Sequence, residues 1–240
     1  MKPVSNPEAG SKAPNRARVV AIDGPGGVGK STVAREVAQR LGFQHIDTGA
    51  MYRAVTWLAL QQKVDFRDEK ALGALGASCT IRLCGSDSGD VRVWCNDTEI
   101  TGAIREREVS VRVSDVADCE PVRDALVARQ RVMGFERPSV LEGRDITTVV
   151  FPDARWKFFL EADLSTRAER RRLQLVQGGK QATLDQVLHD IAERDYRDRT
   201  RPKGALRVAP DATVVDTSRM SRDQVVDLLV TLVRSDLGEG

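Results

Sequence analysis

The sequence predicts an α/β fold, a parallel sheet flanked by helices, and three observations carry that expectation. Strand-length apolar runs alternate with helical patterns at both ends of the chain. A glycine-rich turn joins the first run to the first helix. From about Val64 the alternation gives way to period-2 runs, which point to an inserted antiparallel piece.

In order, RVVAID at Arg18 to Asp23 is a strand that ends in glycines, and a helical pattern follows from Lys30 to Leu41. Phe43 to Ile46 is a second short strand, leading into a helix at Ala50 to Leu60. After a charged helix-like segment, Thr80 to Leu83 and Val91 to Trp94 alternate with period 2 on either side of the polar SDSGD, as a hairpin does. Charged helices are expected at Glu106 to Asp118 and Val122 to Met133, then strands at Ser139 to Leu141 and Trp156 to Leu160. Helices at Ser165 to Val176 and Leu184 to Asp198, a strand near Thr213 to Val215 and an amphipathic helix at Arg222 to Val233 complete the chain. The expected organisation is a core of residues 17–63 and 134–240 with a short lid at about 168–185, and an insertion at 64–133. The polar residues 1–16, with three prolines and no apolar signal region, read as a disordered tail.

Composition narrows the function classes. At 240 residues the chain exceeds a single domain of ~150 residues, consistent with one core plus an insertion. Lys and Arg total 37 against 35 Asp and Glu, a net charge of +2 that argues against nucleic acid or an anionic membrane as partner. The longest apolar stretches, VVDLLVTLV among them, are far shorter than the ~20 residues of a membrane span. Cys79, Cys84, Cys95 and Cys119 form no C-x-x-C pair and only two histidines exist, so free thiols in a reducing, cytoplasmic compartment are expected. His45 and His189 show no partners in the sequence.

GPGGVGKS, Gly24 to Ser31, satisfies G-x-x-x-x-G-K-[ST] directly after a strand and at the start of a helix. Glycines let successive backbone N–H groups of Gly24, Gly26, Gly27, Val28 and Gly29 wrap a phosphate, with Pro25 supplying its fixed φ and no N–H, and the helix start at Lys30, Ser31 and Thr32 adds partial positive charge. Lys30 is placed to reach the β and γ phosphates and Ser31 to ligate Mg²⁺. Nucleoside triphosphate binding follows. A base-reading N-K-x-D is absent, since the asparagines are Asn6, Asn15 and Asn96, which argues against a regulatory GTPase. Phosphoryl transfer needs positioning and positive charge, and arginines cluster in DTGAMYR (Asp47 to Arg53), GRD (Gly143 to Asp145) and ERDYRDRTR (Glu193 to Arg201). In the last, Arg194, Asp198 and Arg201 share one helix face. Either Asp47 or Thr48 caps the DTGAMYR helix.

GPGGVGKST, DTGAMYR, GRDITTVVFPDA, ERDYRDRTR and DATVVDTS, in this order and spacing, closely resemble the bacterial cytidylate kinases over Val19 to about Val233. The resemblance implies a nucleoside monophosphate kinase fold with an acceptor-binding insertion and an arginine-rich lid. It further implies Mg²⁺-dependent transfer from ATP to CMP or dCMP, by a monomer. It assigns Thr48, Arg53, Arg144 and Arg201 to the acceptor phosphate, Arg194 and Asp198 to the ribose, and Ser114, Arg123 and Asp145 to cytosine. Lys30, Arg144 and Arg201 are the expected catalytic groups. An arginine donating to the N3/O2 edge and a carboxylate accepting from the 4-amino group would reject uracil. Arg167, Arg170, Arg171 and Arg172 are candidates for the ATP phosphates. The chain departs from the family at Thr147, often glycine there, and at Ala205, often proline; neither change removes a charged or hydrogen-bonding group. Tyr52 reads equally as core or as a neighbour of the acceptor. A kinase for another acceptor such as UMP, and a nucleotide-dependent module acting on RNA, are the competing readings.

Overall fold

The computed structural model describes residues 18–85 and 91–238; the expected tail and the SDSGD turn of the hairpin lie outside the described residues. Five parallel strands form the main sheet in the order β2-β6-β1-β7-β8: Val19–Asp23 (β1), Gln44–Asp47 (β2), Ser139–Gly143 (β6), Trp156–Glu161 (β7) and Thr213–Asp216 (β8). The intervening strands, Ile81–Gly85 (β3), Val91–Cys95 (β4) and Thr98–Glu99 (β5), form a separate antiparallel sheet in sequence order.

Strand β1 lies at the centre of the large sheet and is buried on both faces, which is why it reads as a continuous apolar run. Its side chains divide with the strand period. Val20 and Ile22 join Val33, Ala34 and Val37 of helix α1 (Lys30–Leu41) and Val226, Leu229 and Val233 of helix α8 (Arg222–Leu237) on one face. Val19 and Ala21 join Ile46, Leu141, Ile146 and Phe151 on the other. A third apolar cluster joins helix α2 (Thr48–Gln61) to the inserted elements, with Met51, Val55, Leu72, Val116 and Leu126 buried together. Leu72 belongs to helix α3 (Glu69–Ser78), Val116 to α4 (Arg107–Asp118) and Leu126 to α5 (Glu120–Glu136). Helices α6 (Leu164–Gln177) and α7 (Leu184–Thr200) pack on each other through Ala168, Val187 and Ile191.

The parallel register decides where chemistry can occur. Asp23 stands opposite Gly143 and Glu142 opposite Asp47, so the loops after β1, β2 and β6 leave the sheet side by side at its carboxyl edge. Gly24 opens the first of them at φ 152°, with the carbonyl oxygen of Leu160 only 2.2 Å from where a Cβ would stand, so no other residue fits there. After β6 the chain turns through a five-residue π-helical segment, Ile146–Val150, which sequence periodicity did not anticipate. The buried carboxylate of Asp23 holds that segment: it accepts from the N–H of Ile146 (2.9 Å) and from both the N–H (2.7 Å) and hydroxyl (2.6 Å) of Thr147. Thr147 therefore brings a hydrogen bond that a glycine would lack.

The two faces of α8 offer a direct test of the packing. Leu229 is fully buried whereas its neighbour Leu228 is 37% exposed. Leu229→Ala is expected to cost ~2–5 kcal/mol and Leu228→Ala less than about 1 kcal/mol, read from urea unfolding midpoints.

Candidate active site

The loop Gly24 to Gly29 leads into α1, with Gly29 as its left-handed N-cap. Lys30 is buried and its Nζ donates to the Pro25 carbonyl at 2.8 Å, so the lysine folds back over the loop. Its pKa lies well below that of a free lysine, first because of burial and then because Arg144 is close. The hydroxyl of Ser31 donates to Glu142 Oε2 at 2.8 Å, and His45 Nε2 meets Glu142 Oε1 at 3.1 Å. His45 thus has a partner the sequence did not show. Glu142 is a residue that sequence reasoning missed, although it immediately precedes the GRD motif; the β1-β6 register, with Ile22 opposite Glu142, brings it to the phosphate loop, and the β2-β6 register sets it beside Asp47.

At the start of α2, Asp47 is the cap, accepting from the N–H of Ala50 at 3.0 Å. Thr48 instead donates its hydroxyl to the Glu142 carbonyl at 2.7 Å. Arg53, one turn further, donates to the Ile104 carbonyl (3.1 Å) and the Ser110 hydroxyl (3.0 Å). From α7, Asp198 bonds Arg144 Nε at 2.8 Å and Arg201 at 2.9 Å, and Arg194 approaches it at 4.0 Å. Arg201 also bonds Asp118 of α4 at 2.5 Å. Three arginines around Asp198 hold its carboxyl down at about 2 against the cost of burial.

Positive charge remains in excess. Burial lowers the pKa of Arg53 and Arg171, and lowers that of Arg194 to about 9, where the neighbouring Arg144 adds repulsion. Arg194 Nε has no hydrogen-bond partner among the described residues. Crowding partly desolvated guanidiniums is unfavourable, and an anion placed among them offsets the repulsion.

Beside this cationic group lies a cleft of about 480 Å³, its open mouth included, lined by Thr48, Tyr52, Ser114, Arg123, Arg144 and Asp145 among others. Arg123, from α5, is 2% exposed and pairs with Asp145 through Nη2, while Nη1 donates to the Ala117 carbonyl at 3.2 Å. Arg123 Nε is left without a partner among the described residues. Burial pushes the Asp145 carboxyl up to about 6 even though Arg123 opposes the shift. Tyr52 belongs to the core around α2, as one reading of its sequence context expected, and it also lines the cleft, its ring underlying Arg123 with 5.7 Å from Cζ to the ring centroid. Every predicted acceptor-side residue except Arg53 lines this cleft, and Arg53 sits at its cationic end.

The arginines of α6 divide. Arg167 is buried and bonds the Gly26 carbonyl (3.0 Å) and Asp195 (2.7 Å), so it braces the phosphate loop through its backbone. Arg170 donates to Thr217 and Arg172 to Glu169. Arg171 alone of the four interacts electrostatically with Arg53 and Arg194. His189 is exposed on α7.

The family model for cytidylate kinase matches residues 20–235. A cytidylate kinase of Shouchella clausii is 47% identical over 215 residues, covering 90% of this chain and 95% of that protein. A bifunctional pantoate ligase/cytidylate kinase of a Synechococcus strain is 47% identical over 230 residues, covering 95% of this chain; the chain spans 42% of that longer relative. The fold also aligns with an uncharacterized protein from Eubacterium ventriosum, with a TM-score of 0.51 at 12% identity, covering 90% of this chain and 98% of the other. With a family model matched from β1 into α8 and relatives this similar along nearly the whole chain, the protein belongs to the cytidylate kinase family.

Proposed function

We propose that the chain transfers the γ-phosphate of ATP to CMP or dCMP, giving ADP and CDP or dCDP. The observation that carries this reading is the cluster of positive charge formed by the buried Lys30 and the half-buried Arg53, Arg144, Arg171 and Arg194, between a phosphate-binding loop and a cleft that ends in the Arg123–Asp145 pair. Such a site suits two phosphate groups meeting end to end, with one of them carried by a base that needs both a donor and an acceptor.

In this reading Gly24 to Thr32 cradle the triphosphate and Lys30 turns from the Pro25 carbonyl toward the transferring group. Thr48, Arg53, Arg144 and Arg201 hold the acceptor phosphate, with Asp198 fixing the last two in position. Arg194 and Asp198 take the ribose hydroxyls. Ser114, Arg123 and Asp145 read the base, Asp145 accepting from the 4-amino group and Arg123 donating to the N3/O2 edge. The acceptor phosphate is already an anion, so in-line attack requires alignment and exclusion of water more than a base. The segment around 168–185 would close over the donor as a lid, and 64–133 would act as the acceptor-binding unit. A soluble monomer in the cytoplasm is the setting we propose. Among the described residues, no helix is long and apolar enough to cross a membrane.

The hydroxyl of Ser31 and the carboxylate of Glu142 offer hard oxygen donors 2.8 Å apart beside the phosphate loop, which fits Mg²⁺. The described residues contain no cluster of three or more His, Cys, Asp or Glu side chains able to hold an ion, so phosphates and water would supply the other ligands. When bound, the ion neutralises charge on the β and γ phosphates.

In a coupled ADP-release assay, CMP and dCMP should turn over well above UMP, AMP and no acceptor, and Lys30→Ala should abolish the rate. Preference for another acceptor would sink the cytidylate reading. Glu142→Gln should raise the Mg²⁺ concentration for half-maximal rate about tenfold or more while leaving the KM for CMP within about twofold. The ionised Asp145 that base reading requires is held at a cost. Its folded pKa of about 6 exceeds the unfolded 3.8, so its stabilising contribution is complete below 3.8 and is lost as pH rises through 6. Lowering the pH from 7.5 to 4 should therefore stabilise the wild type relative to Asp145→Asn by about 2–3 kcal/mol in urea unfolding.

A further inference from the structure

We infer that Gly204 is a positioning residue for acceptor specificity: its missing side chain is the space that the Arg123–Asp145 pair occupies. A Cβ built at Gly204 would stand 1.8 Å from Arg123 Nη2, 2.4 Å from its Cζ and 2.5 Å from Asp145 Oδ2. The backbone there has φ 69°, the left-handed region, which turns the chain against the pair. Gly204 does not line the cleft itself, so it backs the pair from behind and acts on an acceptor only through it.

The loop is fastened on both sides of this glycine. Lys203 Nζ donates to Glu120 and Asp124 of α5, each at 2.6 Å, and α5 is the helix that carries Arg123. The N–H of Leu206 donates to the Asp198 carbonyl of α7 at 2.7 Å, and Ala205 and Leu206 are buried. A side chain at 204 therefore meets a backbone anchored to two helices on one side and a guanidinium group on the other. The guanidinium is the far end of a flexible side chain and yields first. The base-reading pair then separates.

The inference rests on the reading of Arg123 and Asp145 as the base-contacting pair. Its test compares Gly204→Ala with Gly42→Ala, because Gly42 has nearly the same φ, 67°, with nothing within 4 Å of its Cβ position, and so controls for backbone strain alone. Steady-state kinetics with CMP and UMP, with melting temperatures alongside, should show kcat/KM for CMP falling roughly 30-fold or more in Gly204→Ala. The CMP-to-UMP ratio should fall at least about tenfold, because the pair that discriminates the bases is displaced, while the KM for ATP stays within about twofold. Gly42→Ala should leave the ratio unchanged. In an Arg123→Ala background, where the nearest clashing group is gone and only Asp145 Oδ2 remains in the way, Gly204→Ala should lower the ratio by much less than it does in the wild type. An unchanged ratio in Gly204→Ala, or an equal fall in both glycine variants or in the Arg123→Ala background, would overturn the inference. Asp145→Asn separates the two readings. If it lowers the ratio and Gly204→Ala does not, only the role of Gly204 fails; if it leaves the ratio unchanged, the base-reading assignment itself fails.

Discussion

The buried carboxylate of Asp23 links the two halves of the candidate site. It ends the central strand one residue before the phosphate loop, and it gathers three hydrogen bonds from Ile146 and Thr147, just after the GRD motif. Burial raises its pKa, and the hydrogen bonds from Thr147 and Ile146 offset part of that cost. The loop that would hold the donor and the segment that presents Arg144 and Asp145 to the acceptor are thereby set by one side chain. Parallel pairing of β1 with β6 brings the two within reach, and the Asp23 hydrogen bonds fix their separation.

Around that junction the protein tolerates charges that it does not neutralise internally. Asp198 satisfies Arg144 and Arg201, yet Arg194, Arg53 and Arg171 stay half-buried near one another, with Arg194 also near Lys30. A protein selected for stability alone has little reason to crowd mutually repelling, partly desolvated guanidiniums together. Their presence is intelligible as preorganisation for phosphate, with the repulsion relieved when the anion arrives. The proposed base-reading end follows the same logic in smaller form. Arg123 and Asp145 neutralise each other, Ala117 holds one nitrogen and the backbone at Gly204 closes the rear, so few alternative geometries remain for the pair.

The phosphate loop, the order of the strands and helices and the arginine-rich motifs were legible in the sequence because each depends on local rules. A strand buried on both faces is uniformly apolar, a phosphate loop needs glycines at fixed spacing, and helix α7 places Arg194, Asp198 and Arg201 on one face through its own periodicity. The resemblance of the motifs led to the family to which the chain belongs. Helix ends moved by a few residues, as at α5, expected over Val122 to Met133 and found at Glu120–Glu136, because capping is decided by neighbouring loops.

Tertiary structure alone decided the rest. Glu142 as the partner of Ser31 and His45, the hydrogen bonds of Thr147 to Asp23, the bracing role of Arg167 and the approach of Gly204 to Arg123 all join residues far apart in the chain. Such contacts depend on strand register and on how helices seat against the sheet, which side-chain chemistry along one segment does not encode. The sequence by itself determined which chemistry the chain carries; the packed fold decided which atoms meet, because that choice belongs to all the elements at once.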